Sequence, residues 1–163
     1  MLNQLNAISA VDGRYRNKVE TLSRYFSEAA LMRYRVRVEV EWFIFLCNTL
    51  RLSGAKVLNL KEQKLLRDLY NTFSEKDAER IKQIESTTNH DVKAVEYFIK
   101  EKLARTNLAA YSEFVHFGCT SEDINNLAYG LIIHEFGNEE FLPVYKSLIK
   151  KIHEMAKQYA GIS

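Results

Sequence analysis

The stretch SEDINNLAYGLIIHEFGNEEFLPVYKSLIKKIHEMAKQY, Ser121 to Tyr159, decides the fold class. Ile124, Leu127, Leu131, His134, Asn138, Phe141, Tyr145, Leu148, Ile152, Met155 and Tyr159 step alternately by three and four. That is the heptad pattern of a long helix with one seam, interrupted by His134 and Asn138. Pro143 lacks an amide hydrogen and costs about 3 kcal/mol inside an isolated helix, so a bend is expected near Glu139, eased by Gly137 and Asn138. His134 reads as a buried polar register residue of the seam and His153 as solvent-facing. A seam this long needs partner helices. With only Gly161, Ile162 and Ser163 after it, the expectation is a piece of something longer rather than a chain that pairs through this helix alone.

Outward from that helix the class stays all-α. One proline and six glycines in 163 residues leave few tight turns, and apolar residues recur at three and four rather than two. Asp12-Gly13 marks a turn in an irregular opening segment. A helix fits Ser27 to Leu50, with Leu31, Tyr34, Val38, Trp42, Phe45 and Leu46 on one face, and Ser53-Gly54 ends it. Four later starts pair a small polar cap with an acid three places on: Asn59 with Glu62, Ser74 with Asp77, Thr88 with Asp91, and Thr120 with Asp123. The expected organisation is a multi-helix domain over 1–110, then the first long helix of a bundle domain over 111–163.

A chain that is 47% hydrophobic can bury a core. Lys and Arg total 23 against 21 Asp and Glu, with the signs interleaved, so no basic tail suits nucleic acid. No run of about 20 apolar residues suits a membrane, and the opening residues lack a leader pattern, so a cytoplasmic protein is expected. Cys47 and Cys119 form no Cys-x-x-Cys pair, and His116-x-x-Cys119 alone is too few ligands, so no metal is expected.

The groups that could do chemistry gather at two helix starts. Thr87, Thr88, Asn89 and His90 are expected on the first turn of one helix, Thr120, Ser121 and Glu122 on that of another. Free amide groups and the helix dipole favour a phosphate or carboxylate there, and two such ends facing one cavity would hold a dianion. The same residues also make ordinary caps, and Asp91 taken alone reads as a cap partner of Thr88. His90 can donate or accept a proton near neutral pH. His116, amid Phe114, Val115 and Phe117, reads as a core-edge histidine. Arg14-Tyr15 offers a forked donor and a phenol suited to a phosphate.

Three stretches carry a resemblance: Ala10-Val11-Asp12-Gly13-Arg14-Tyr15, then Thr87-Thr88-Asn89-His90-Asp91-Val92-Lys93-Ala94-Val95-Glu96-Tyr97-Phe98, and His116-Phe117-Gly118-Cys119-Thr120-Ser121-Glu122-Asp123-Ile124-Asn125-Asn126. Together they resemble the N-terminal part of the bacterial-type adenylosuccinate lyase family, within the wider fumarase and aspartase superfamily. The resemblance implies cofactor-free β-elimination of fumarate from adenylosuccinate, giving AMP, and from the succinylated carboxamide ribotide of purine synthesis. It implies that Arg14 and Tyr15 bind the phosphate end, that Asn89, His90 and Asp91 line the substrate pocket, and that Thr120 and Ser121 bind the succinyl carboxylates. By the resemblance His90 binds and orients, and assists proton transfer rather than serving as the main acid. The family's Thr-His-Gly-Gln segment with its general-acid histidine, and its Ser-Ser-x-Met-Pro loop with its general-base serine, do not occur in these 163 residues. The family implies a homotetramer whose sites draw on three subunits. A competing reading is a non-catalytic helical interaction module whose function is the seam.

Overall fold

Among residues 6–162, which the computed structural model describes, every regular element is helical and no strand occurs. Residues 1–5 and 163 lie outside that description, and with them the start of the opening segment and the final serine.

The first long helix, α1 (Glu28–Phe45), is the centre of the molecule. Ser27 caps it by accepting from Ala30 N at 3.1 Å. Sequence reading found one apolar face on it, but two are buried. Met32, Val36, Val40, Phe43 and Ile44 join the larger core cluster, while Tyr34 and Val38 join a second. A helix apolar on more than one side belongs inside, because each face then removes hydrocarbon from water. A π-turn, Leu46–Leu50, carries the helix to the expected end, and Arg51 then leaves it with φ 50°.

Three helices cover the larger face of α1: α2 (Leu60–Asn71), α3 (Glu75–Thr88) and α4 (Asp91–Leu103). Asn59 with Glu62 and Ser74 with Asp77 form the expected reciprocal caps of α2 and α3. On the other face lies α5 (Ser121–Phe136), where Ile124, Ala128 and Ile132 at four-residue spacing pack with Tyr25, Tyr34, Val38 and Val92. Each such fully buried Ile or Val contributes about 2 kcal/mol relative to exposure.

The interruption expected near Glu139 takes the form of a π-turn, Gly137–Phe141, after which α6 (Leu142–Gln158) continues with Pro143 in its first turn. Tyrosine hydroxyls tie this region to the core: Tyr34 donates to Glu135 at 2.6 Å and Tyr25 to Glu139 at 2.6 Å, and Arg37 pairs with Glu135. Beyond Glu140 the seam is uncovered. His134, expected to be buried, is exposed, as are Phe141, Tyr145, Leu148, Ile152, Met155 and Tyr159. The reason is geometric: His134 lies two residues past Ile132, on the opposite side of α5 from the stripe that packs on α1, and past Glu140 the short segment with Val19, Thr21 and Leu22 lines only a shallow groove with Phe141, Tyr145 and Leu148, so no α6 residue is buried. His153 is solvent-facing, as expected.

Candidate functional site

The segment between α3 and α4 differs from its sequence reading. Thr87 and Thr88 are the last residues of α3, not the start of α4. Asn89 takes the left-handed conformation, φ 51°, and ends α3; His90, extended at φ −149°, is the cap of α4. Asn accepts the left-handed state more readily than other side chains, so helix end and helix start fit into two residues. Asp91 is therefore the first residue of α4 rather than the third. Its Oδ1 accepts from Val92 N at 2.8 Å, not from the backbone of Thr88.

His90 Nδ1 accepts from Lys93 N at 3.2 Å. In the neutral ring this leaves the hydrogen on Nε2, and Nε2 lies 3.4 Å from Ser121 Oγ. Two helix starts separated by 31 positions thus meet at a serine hydroxyl and a half-exposed imidazole. The start of α5 follows expectation: Thr120 N and Oγ1 donate to Asp123 Oδ2 at 2.7 and 2.8 Å, and Asp123 N donates back to Thr120 Oγ1 at 3.4 Å. The amides of Ser121 and Glu122, first-turn donors that a helix cannot satisfy internally, have no acceptor among the described residues. At α4 the Val92 and Lys93 amides are already taken by Asp91 and His90. The donor-rich end is that of α5, and α4 brings the imidazole to it.

Sequence reasoning missed the group that holds the two starts together. Arg35 of α1, only 6% exposed, donates from Nη2 to Asp91 Oδ2 at 2.7 Å and from Nε to Asn125 Oδ1 at 2.9 Å. One guanidinium thereby fixes the first residue of α4 and the second turn of α5. Partial burial pushes the Asp91 carboxyl up, but the Val92 amide and the Arg35 charge outweigh it and hold it below the usual carboxylate range. The available signal was an arginine flanked by Tyr34 and Val36 in a helix that alternates charged and apolar residues from Arg33 to Glu41.

The remaining expected residues stand apart. The Arg14 guanidinium lies 4.7 Å over the Tyr15 ring, both are exposed, and neither bonds to His90, Asp91, Thr120 or Ser121. Asn89 is exposed, beside Lys82, Glu85 and Ser86. An open groove of 680 Å³ runs elsewhere, between α1 and α5, lined by Trp42, Phe45, Leu127 and Leu131 among others. Among the described residues no three His, Cys, Asp or Glu side chains gather as a metal site would require, and no helix is long and apolar enough to cross a membrane.

A family model described as Lyase matches residues 13–163. The chain is similar to the adenylosuccinate lyase of Dictyostelium discoideum, 49% identical over 99% of this chain and 35% of that protein. It is similar to those of Escherichia coli (strain K12), 48% identical, and Haemophilus influenzae, 46% identical, each over 99% of this chain and 36% of the relative. The chain thus spans little more than a third of the length of the curated relatives it matches.

Proposed function

The chain belongs to the lyase family whose model covers residues 13–163, and on that basis we propose that it forms one face of the substrate site of an adenylosuccinate lyase. The reaction is β-elimination of fumarate from adenylosuccinate, leaving AMP, and from the succinylated carboxamide ribotide. The observation that carries the reading is the meeting of His90 Nε2 and Ser121 Oγ at 3.4 Å, beside the Ser121 and Glu122 amides that find no acceptor among the described residues.

In this reading the Ser121 hydroxyl and those amides receive a succinyl carboxylate, with Thr120 shaping the turn. The His90 Nε2 hydrogen orients the substrate. Asp91 acts through Arg35, keeping the first turn of α4 in register, and Asn89 flanks the entrance. Arg14 and Tyr15 would take the phosphate end, on a part of the site that other subunits complete; a homotetramer fits the uncovered seam of α6. Residues 1–110 would form the first domain and 111–163 the opening of the bundle. Without the Thr-His-Gly-Gln and Ser-Ser-x-Met-Pro segments, the 163 residues alone would bind without turnover.

The test is an adenylosuccinate cleavage assay on this chain, with and without a separately expressed remainder of a related lyase. Activity only on mixing is expected; fumarate release by the chain alone would sink the division of labour. A second reading, a helical interaction module, draws on the exposed apolar face of α6. It predicts unchanged association in a His90→Ala chain and no response of the His90 ring to AMP.

A further inference from the structure

Arg35, Glu39 and Trp42 stand at i, i+4 and i+7 on one face of α1, a helix that also carries Arg33, Arg37 and Glu41. Each reaches a segment that builds the site. Arg35 holds Asp91 and Asn125. Trp42 Nε1 donates to Phe117 O at 2.9 Å. Glu39 Oε1 lies 2.5 Å from His116 Nδ1. Arg35 and Glu39 do not pair with each other, although a turn apart on one helix face they could.

Glu39 is wholly buried, 0% exposed, and its Oε2 has no hydrogen-bond partner among the described residues. A buried carboxylate opposes folding unless its partner repays the lost hydration. His116 is that partner, and the Glu39 hydrogen bond, outweighing burial, holds the imidazole above its ordinary range. Glu96 and Lys93 of α4 also act on the ring, Asp123 of α5 is near enough to feel its charge, and the Cys119 thiol is raised by burial and by the nearby Glu39 carboxyl. The backbone of His116 is left-handed, φ 63°, a state uncommon outside glycine. Gly118 is left-handed too, φ 72°. The chain thus turns sharply between buried Val115 and the cap Thr120, and such a conformation in a histidine persists only when surroundings enforce it.

We propose that Glu39 is a positioning residue for the His90–Ser121 site: acting through His116, it fixes the turn over 116–119 and so sets where Thr120 and Ser121 lie against His90. Its functional weight rests on the proposed binding role of that cluster; its geometry does not. Glu39 touches no reacting atom.

The experiment compares this chain with its E39L and E39Q variants by NMR, following the cross-peak between the His90 ring and Ser121 Hβ. The cross-peak between the Phe73 and Phe98 rings, 6.2 Å apart in the core, serves as the internal reference. E39L fills the space without a hydrogen bond, and E39Q guards against misfolding. The expected result is a folded E39L chain with its reference intact and the His90–Ser121 signal reduced at least fivefold. His116→Ala should produce the same loss, with no further loss in the double variant. In E39Q the His116 ring should titrate at lower pH. An unchanged His90–Ser121 signal in both folded variants would overturn the inference and leave Glu39 a core residue. If the signal is lost in E39L while AMP fails to move the His90 ring of the unmodified chain, the positioning role stands and the nucleotide-site reading falls.

Discussion

Arg35 Nη2 sits 2.7 Å from Asp91 Oδ2, yet the arginine side chain is 7% exposed and the aspartate 49%. The pair is lopsided: water can replace Arg35 at Asp91 far more easily than it can replace Asp91 at Arg35. Removing the aspartate should therefore hurt more than removing the arginine. Asp91→Ala is expected to cost about 2 kcal/mol, below the full cost of breaking a buried pair because the carboxylate edge is wet; Arg35→Met, which keeps volume, about 1 kcal/mol. Urea unfolding of both variants checks the order, and the reverse order would refute the argument.

His90 has two separable jobs, capping α4 through Nδ1 and meeting Ser121 through Nε2. His90→Ala should lose both, with about 1 kcal/mol of stability from the missing cap. His90→Asn should restore most of that stability, since Asn is a good cap, without restoring activity in the complementation assay. Thermal melts beside adenylosuccinate cleavage would reveal whether the two separate.

The pH dependence of stability should have two flanks of opposite origin. His116 is raised by Glu39, so its contribution is complete below the ordinary histidine range and disappears as pH rises through the raised value. Against the opposing effect of burial, Asp91 is lowered by the Val92 amide and then Arg35, Glu41 by Arg67, and Glu96 by its lysine partners. Their contribution is complete above the ordinary carboxylate range and is lost as pH falls through the lowered values. Melting temperature should therefore peak on the acid side of neutrality. His116→Gln should flatten only the alkaline flank; a flattened acid flank would contradict the assignment.

The exposed Tyr145, Leu148, Ile152 and Met155 form a contiguous apolar strip on α6. Strips of this kind mark contact surfaces. Sedimentation of the chain should show concentration-dependent association, and Leu148→Lys with Ile152→Lys should abolish it while leaving the melt of the N-terminal helices unchanged. Unaltered association in that double variant would move the contact elsewhere.

How far the sequence could be read depended on whether a signal was local. The caps at Asn59, Ser74 and Thr120 were legible because cap and acid sit three apart and answer only to each other. Thr88-Asp91 has the same spacing and misled, because Asn89 two residues earlier than the helix start also suits a helix end, and that preference won. Arg35 and Glu39 were missed: in the alternation of charged and apolar residues from Arg33 to Glu41 nothing local separates a buried charge from an exposed one, and their partners lie 56 and 77 positions away. His134 was misjudged for the opposite reason, since the seam pattern implies a neighbour that the described residues do not supply. His90 and Ser121 could each be singled out as candidates, but their meeting depends on how α4 and α5 cross α1.

The π-turn at Gly137–Phe141 changes the phase of the rod. One extra residue in a helix rotates everything after it by about 100° relative to an uninterrupted α-helix. The stripe of Ile124, Ala128 and Ile132 and the strip on α6 therefore start from different angular origins. Each half of the rod can choose its neighbours independently, the first half facing inward to α1, the second aimed at another quarter of the compass. A single-residue deletion inside the bulge would couple the two choices, turning the outer strip by a quarter circle or more while leaving the inner packing where it is.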